Sequence, residues 1–260
     1  MGSADKAVNA ASGPADRSVH AVETIPCAKR LRATIGGQAL FDTQGAVVLR
    51  ETGRIALYYI PRDDVRMDLL SSNGTTSDCP FKGRARQFDV TVGGRTVADA
   101  AWSYETPTQA CAGIAGWLSF AWKKMDHWFE EDEEVFVHAR DPHVRIDILE
   151  SHRPVEVRAG GQIVAQTERA GFLFETGHVT RYYIPAQDVR SALLAPSESH
   201  TACPYKGTAS YHHLKLGERV VEDAVWFYPE PLDEVRRIGG YLCFYPEKVD
   251  AILVDGKVVS

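Results

Sequence analysis

The chain has 260 residues and a formal net charge of −6, which is mild because acidic and basic side chains are mixed along most of its length. It contains no basic stripe, so nucleic acid is excluded as an expected partner. It also contains no apolar run near the roughly 18 residues that a membrane-spanning helix needs, so we expect a soluble protein without a membrane partner.

The N-terminal residues, 1–25, are rich in Ala, Ser, Gly and Asp and have no apolar segment of the kind found in signal peptides. They are predicted to be a disordered tail. The five cysteines are an odd, scattered set without a CxxC pair, which argues against a disulfide framework and against a four-cysteine zinc site. Reduced thiols are typical of the cytosol, and we predict a cytoplasmic protein with neither a metal nor a cofactor.

The rest of the chain contains the same domain twice. The segment from Lys29 to Asp126 aligns without a gap on the segment from Arg153 to Asp250, at a shift of 124 positions. A repeat of this length is too long for a solenoid unit and indicates tandem domains. We place the first domain at residues 26–140 and the second at residues 141–260, each large enough to bury its own core.

Short strands dominate each predicted domain. Two of them flank Gly36-Gly37 in the first copy and Gly160-Gly161 in the second, as in a β-hairpin. A further hairpin turns at Gly93-Gly94 and, in the second copy, at Gly217-Glu218. The predicted fold class is therefore mainly β, with antiparallel strands and one or two short helices per domain.

The two helices are predicted at prolines. In the first copy one begins at Pro61, where proline suits a first helical turn. The other runs from about Pro107 to Phe120, with Thr106 as its cap. Its apolar stripe, which includes Ile114 and Leu118, is expected to face the core.

The chain between the two copies contains an acidic run and strand-like segments. The run from Glu130 to Glu134 is predicted to be a solvated face, because nothing directs several carboxylates toward one point. Apolar and polar residues alternate over residues 144–148, which predicts a strand.

A set of aromatic and charged residues recurs at the same register in both copies. Rings supply flat apolar walls and cations orient a carboxylate or carbonyl, as a pocket for a small, partly polar ligand requires. The alternative is architectural, since tyrosines and tryptophans also cover sheets and neighbouring Asp and Arg residues form local ion pairs. The predicted ligand-binding residues are Tyr59, Arg66, Lys82, Trp102 and Tyr104 in the first copy, and Tyr183, Arg190, Lys206, Tyr211, Trp226 and Tyr228 in the second.

The string Cys-Pro-aromatic-Lys-Gly is specific enough to suggest chemistry. Proline restricts the preceding cysteine to an extended conformation, and a lysine three residues later lowers a thiol pKa if the turn folds it back. A nucleophile also needs a base, and His200, His212 and His213 are candidates only in the second copy. The candidate catalytic residues are therefore Cys203, Lys206 and Tyr183, and the alternative is a structural cysteine at a turn.

These strings resemble those of the family catalogued as domain of unknown function 427. The resemblance rests on Glu51-Thr52-Gly53, on residues 58–66, on Cys79-Pro80-Phe81-Lys82-Gly83, on residues 101–104, and on their second-copy equivalents. It implies a β-tent fold, in which two antiparallel sheets meet at an angle, as in the thalidomide-binding domain of cereblon and in methionine sulfoxide reductase B. Relatives of that fold bind zinc through two cysteine pairs, which this chain lacks.

The two copies depart from the family pattern at different places. The first has Arg86-Gln87 where the second keeps Ser210-Tyr211, and the second has Ala186-Gln187 where the first keeps Arg62-Asp63. An arginine there is expected to narrow or recharge the pocket. We therefore predict that the second domain binds the native ligand or acts on it, and that the first is weaker or prefers a more anionic ligand.

Three functions are compatible with the sequence. The first is a small-molecule-binding module that uses the recurring aromatic and basic residues of each domain. The second is an enzyme acting on a small metabolite through Cys203, or through Lys206 and a tyrosine. The third is a scaffold whose duplicated surface binds a protein partner.

Overall fold

A computed structural model describes residues 20–259, and these form two compact units that divide between Pro142 and His143. Both units consist mainly of antiparallel β-strands, and the predicted fold class and two-domain organisation are confirmed. The β-tent relationship stays a prediction. Within the described residues no helix is long and apolar enough to cross a membrane.

The first unit contains eleven strands in three sheets. In sheet order these are β1-β4-β5, β11-β10-β2-β3 and β6-β7-β8-β9. The first and third sheets meet at a bridge between Ile60 and Leu118, whose backbone groups exchange two hydrogen bonds. The strands β1 to β11 are Val22–Pro26, Leu31–Ile35, Gln38–Thr43, Val47–Glu51, Leu57–Tyr59, Leu70–Cys79, Gly83–Val92, Arg95–Ser103, Leu118–Phe120, His127–Glu130 and Glu133–Val135.

The second unit repeats these eleven strands one for one. Its sheets are the seven-stranded β12-β15-β16-β20-β19-β18-β17, which corresponds to the first and third sheets of the first unit, and β14-β13-β21-β22. The strands β12 to β22 are Ile146–Ser151, Val155–Ala159, Gln162–Thr167, Ala170–Glu175, Arg181–Pro185, Leu194–Cys203, Gly207–Leu216, Arg219–Phe227, Tyr241–Phe244, Ala251–Val254 and Lys257–Val258.

All four predicted hairpins are confirmed, and their glycines explain them. Gly36 and Gly37 have φ of +57° and +73°, and Gly160 and Gly161 have nearly the same values. Only residues without a β-carbon adopt such angles without strain. The glycine pairs therefore fix the turns and, with them, the register of the strands on either side.

The predicted helices are present only as 3-10 segments, and the second of them is shorter than predicted. The chain after Pro61 forms two 3-10 turns, and the segment predicted as a longer helix contains a six-residue 3-10 segment, a glycine turn and strand β9. Cys111 has a non-helical conformation inside that segment, and Gly116 has φ of +74°, which ends it. Cys111, Ile114 and Leu118 are nevertheless fully buried as expected. The 3-10 segments are Arg62–Asp64, Met67–Leu69, Gln109–Ile114, Trp122–Lys124, Ala186–Asp188, Ser191–Leu193, Asp233–Ile238 and Pro246–Lys248.

The expected tail and the expected acidic face also need correction. Residues 22–25 belong to β1, which pairs along its length with β4 and is the counterpart of β12. The rest of the predicted tail, residues 1–19, lies outside the described residues. In the acidic run, Glu130 is buried because it accepts a hydrogen bond from Tyr58 and pairs with Lys29. The predicted strand at residues 144–148 is found in β12.

Each unit has two apolar clusters. They lie on opposite faces of the seven-stranded sheet in the second unit, and on opposite faces of the corresponding first and third sheets in the first unit. Consecutive side chains of a strand point to opposite faces, so Tyr58 joins the larger cluster and Tyr59 joins the smaller one. The smaller cluster is covered by the segment Gln109–Ile114 in the first unit and by Asp233–Ile238 in the second. The candidate site lies at this smaller cluster.

Candidate functional site

A buried ion pair joins the two most similar strings of the repeat. Lys82 pairs with Oε2 of Glu51 in the first unit, and Nζ of Lys206 lies 2.6 Å from Oε2 of Glu175 in the second. All four side chains are 11% exposed or less. Burying two charges is stabilising only if they remain paired, so each lysine is held in place by its glutamate.

The turn that carries the lysine depends on its final glycine. Gly83 and Gly207 have φ of +97° and +98°, a conformation that L side chains rarely adopt. A β-carbon on Gly207 would lie 3.1 Å from the carbonyl oxygen of Glu230. The carbonyl oxygen of Lys206 accepts a hydrogen bond from the backbone of Leu232, which attaches the turn to the covering segment. The turn therefore directs the lysine side chain into the domain.

Two tyrosines and a tryptophan complete each site. Nε1 of Trp102 donates to the hydroxyl of Tyr59 over 3.1 Å, and Trp226 bonds in the same way to Tyr183 over 3.2 Å. Tyr104 and Tyr228 pack in the same clusters. We call these groups site 1 and site 2. Site 1 comprises Glu51, Tyr59, Lys82, Trp102 and Tyr104, and site 2 comprises Glu175, Tyr183, Lys206, Trp226 and Tyr228.

The tyrosine hydroxyls have unused hydrogen-bonding capacity. Among the described residues, neither the hydroxyl of Tyr104 nor that of Tyr228 has a hydrogen-bond partner, although each residue is only 5% exposed. Neither hydroxyl is sealed from solvent. Tyr59 and Tyr183 accept from tryptophan, and within residues 20–259 their own protons have no acceptor. Each site therefore contains two tyrosine hydroxyls beside an ion pair, and one of the two belongs to a residue that is at most 1% exposed.

The surroundings keep these tyrosines protonated. Burial raises the pKa of Tyr104 to about 12, and the neighbouring Cys79 and Glu51 act in the same direction. Burial likewise raises the pKa of Tyr59, Tyr183 and Tyr228. At neutral pH all four are phenols and act as hydrogen-bond donors.

Site 1 contains a histidine that site 2 lacks. Nε2 of His20 lies 3.1 Å from Oε1 of Glu51, and its ring stacks on Phe81 with centroids 3.5 Å apart. Val144 stands at the equivalent position of the second copy. Glu51 thus contacts two basic side chains where Glu175 contacts one.

The two predicted arginines lie elsewhere. Arg66 forms an exposed ion pair with Asp68, over 2.6 Å. Arg190 donates to Gln162 of β14 over 3.3 Å and is exposed. The backbone amide of Arg66 donates a hydrogen bond to β3, and that of Arg190 donates one to β14. Each arginine therefore adjoins the four-stranded sheet of its unit that contains β3 or β14. Their role in ligand binding stays a prediction that the geometry of the sites does not use.

Tyr211 packs in the apolar cluster that contains site 2, whereas Arg86 is outside site 1. The hydroxyl of Tyr211 lies 2.5 Å from Oγ1 of Thr201, and its counterpart Gln87 bonds to Ser77 in the same place. Arg86 precedes Gln87 on β7, so its exposed side chain lies on the opposite face of the strand. The expectation that Arg86 narrows site 1 is therefore wrong.

Cys203 adjoins site 2 without a histidine base. It packs at the edge of the cluster that contains Tyr183 and Tyr228. His200 bonds to Ser210 and His212 stacks on Phe227, which places both on the opposite face of β18. Nδ1 of His213 accepts from the backbone of Asp223. None of these three contacts involves Cys203.

Other recurring polar residues have structural contacts. Asp64 accepts from Thr43 over 2.5 Å and Asp188 from Thr167 over 2.6 Å, and each threonine also holds the next turn through a backbone amide. All five cysteines are free thiols. The described residues contain no group of three or more His, Cys, Asp or Glu side chains arranged to hold a metal ion.

Comparison with known families accounts for both copies. A family model described as "Domain of unknown function (DUF427)" matches residues 23–131 and again residues 147–255. The chain belongs to the DUF427 family. A search of the curated proteins gives no match. Each DUF427 match contains one complete site, and the first begins inside β1.

The glutamates of these DUF427 sites were missed as site residues. Glu51 and Glu175 belong to recurring sequence segments that support the family resemblance, and they were not predicted to bind a ligand. The available signal was an acid that recurs in register with a lysine 31 residues later. Glutamate is rarely buried unless it is paired, but the sequence gives no sign that Glu51 is buried.

Proposed function

We propose that each DUF427 domain is a small-molecule-binding module whose ligand presents an acceptor oxygen to the two tyrosine hydroxyls of the site. One observation carries this proposal. In both copies, two buried tyrosines have hydroxyl protons without an acceptor among the described residues. The hydroxyls of Tyr104 and Tyr228 keep access to solvent, so donors that are unused within the domain at equivalent positions favour a ligand that replaces water as their acceptor.

The charges of the site favour a neutral acceptor such as a carbonyl. The lysine of each site is already paired with a glutamate. An anion brought into this environment would lose its hydration without gaining a free counter-charge. A ketone or amide oxygen needs only the hydroxyl donors. The proposed ligand is therefore a small, neutral, carbonyl-bearing molecule.

Enzymatic action is the weaker proposal. Within residues 20–259, the side chains of His200, His212 and His213 contact groups other than Cys203. Lys206 donates to Glu175, and the raised pKa of Tyr183 opposes its action as a base at neutral pH. We also propose a cytoplasmic location, in keeping with five free thiols, and no nucleic-acid partner.

Ligand-observed NMR on the full chain tests the binding proposal. The probes are small amides, ketones and carboxylates at millimolar concentration. We expect the amides and ketones to bind, and binding to be lost in the double variant Tyr104→Phe, Tyr228→Phe. Tyr182→Phe is the matched control, because it removes a hydroxyl from the opposite face of the sheet. The proposal is rejected if no probe binds, or if the double variant binds as the unmodified chain does.

A further inference from the structure

The two sites differ at three positions beside the tryptophan, one of which is Arg181 over the Trp226 ring, with Leu57 in its place in site 1. In site 2 the ring of Tyr245 packs against Trp226 with centroids 4.4 Å apart, and Tyr211 lies parallel to Tyr245 at 6.4 Å. In site 1 the equivalent residues are Ala121 and Gln87. No aromatic ring of the described chain stacks on Trp102, which is partly exposed, whereas Trp226 is 7% exposed.

The backbone around this position is the same in both domains. Ala121 has φ and ψ of −69° and 108°, and Tyr245 has −72° and 118°. The amide of Ala121 donates to the carbonyl of Ala100 over 2.9 Å, as Tyr245 does to Ala224 over 3.0 Å. The missing ring of site 1 is therefore a side-chain difference on an unchanged frame, and Ala121 and Trp102 are both partly exposed there.

We infer that site 1 takes a ligand with a planar aromatic ring, which stacks on Trp102 in the place that Tyr245 occupies on Trp226. Aromatic pairs gain stability from stacked and tilted arrangements beyond the area they bury. Gln87 contributes a carboxamide beside the same space, where site 2 has the Tyr211 ring. This inference rests on the proposed function, because the carbonyl of the ligand is held by Tyr59 and Tyr104.

The sequence predicted that the second domain binds the native ligand and that the first is weaker, but for an aromatic ligand the first domain is the stronger binder. Site 2 is filled by its own tyrosines, which restricts it to a smaller, ring-free carbonyl compound. Site 1 accepts the larger, aromatic one. The selectivity of the chain for aromatic ligands therefore lies in the first domain.

Benzamide and cyclohexanecarboxamide test this assignment, because they share the carboxamide and differ in the flatness of the ring. Binding is measured on the full chain with Tyr228→Phe, which removes a donor from site 2. We expect benzamide to bind more tightly than cyclohexanecarboxamide by between about two- and twelve-fold, the range that a stacking contact supplies. Ala121→Tyr should abolish benzamide binding, and Ala121→Ser should preserve it.

A reciprocal variant guards against misfolding of Ala121→Tyr. Tyr245→Ala in a Tyr104→Phe background should make site 2 bind benzamide more tightly than cyclohexanecarboxamide, a preference that site 2 otherwise lacks. Such a gain of binding cannot arise from loss of structure. Equal binding of the two amides, or benzamide binding that Ala121→Tyr leaves unchanged, overturns the inference while the proposed function stands. If neither amide binds to the unmodified chain, both are overturned.

Discussion

Nζ of Lys206 donates to Oε2 of Glu175 across 2.6 Å, from a position 31 residues later in the chain. Because both side chains are about nine-tenths buried, Lys206→Met leaves a carboxylate without its partner. We expect a loss of about 3–5 kcal/mol in the free energy of unfolding. Urea titration of the full chain measures it.

The double variant Glu175→Leu, Lys206→Met is the control for that prediction. It removes both charges, and the apolar pair should restore most of the lost stability. If the double variant is as unstable as Lys206→Met alone, the lysine acts through packing and the ion-pair argument fails.

Two tyrosines of the first domain should respond differently to the same substitution. The hydroxyl of Tyr58 donates to Glu130 over 2.6 Å, so Tyr58→Phe should cost about 1.5–3 kcal/mol. Tyr104 has no hydrogen-bond partner within residues 20–259, so Tyr104→Phe should change stability by less than about 0.5 kcal/mol. Thermal melts of the two variants give the comparison. A large loss in Tyr104→Phe would mean that its hydroxyl is bonded inside the domain.

The glycine that closes the lysine turn gives a third prediction. Gly207→Ala places a β-carbon against the carbonyl of Glu230 at φ of +98°, whereas Gly177→Ala meets no atom within 4 Å at φ of +78°. Both should be destabilising by about 1–3 kcal/mol through backbone strain, and Gly207→Ala should be the worse. Equal melting temperatures for the two variants would contradict the close approach.

The free thiols should divide into two classes. Cys79 and Cys203 are partly exposed, and Cys27, Cys111 and Cys243 are buried. Burial raises the pKa of all three buried thiols, that of Cys243 to about 12, which disfavours the reactive thiolate. A colorimetric disulfide reagent should therefore titrate Cys79 and Cys203 in the native protein, and the other three only in denaturant. Rapid reaction of Cys243 in the native protein would contradict its burial.

Tyr104 contributes to the alkaline pH dependence of stability. Its pKa is about 12 in the folded protein, against an ordinary value of 10.0. The unfolded chain therefore loses this proton first, and stability falls as the pH rises from about 10 through 12. Tyr104→Phe should make this fall shallower in alkaline melts. An unchanged slope would mean that Tyr104 ionises at its ordinary pKa.

Local signals in the sequence predicted the hairpins correctly. They did not predict the type or the length of the helical segments. Turn glycines such as Gly36 and Gly160 specify backbone angles directly, so they located the hairpins. The apolar spacing of Ile114 and Leu118 fits a helix, but the same two residues are also buried by a 3-10 segment followed by a strand. In such short stretches the spacing of apolar residues predicts which side chains are buried, but it does not predict whether the segment is a helix or a strand.

The candidate site was predicted in part for a related reason. Recurrence in both copies selected Tyr59, Lys82, Trp102 and Tyr104, which the structure brings together, and it selected Arg66, which pairs with Asp68. Recurrence reports that a residue matters in both copies, but it does not specify which face of the sheet the side chain occupies. Glu51 was overlooked because only the folded chain brings it to Lys82.

The pairing of Tyr245 with Trp226 has a practical consequence for chemistry. The chain itself contains, in its second domain, a phenol held against an indole at a defined separation and tilt of 4.4 Å and 43°. This separation and tilt of the two rings define a pharmacophore for the ligand that we propose for the first domain. A ligand series for the aromatic site that we propose in the first domain can therefore start from phenol-bearing amides built on the side chain of Tyr245.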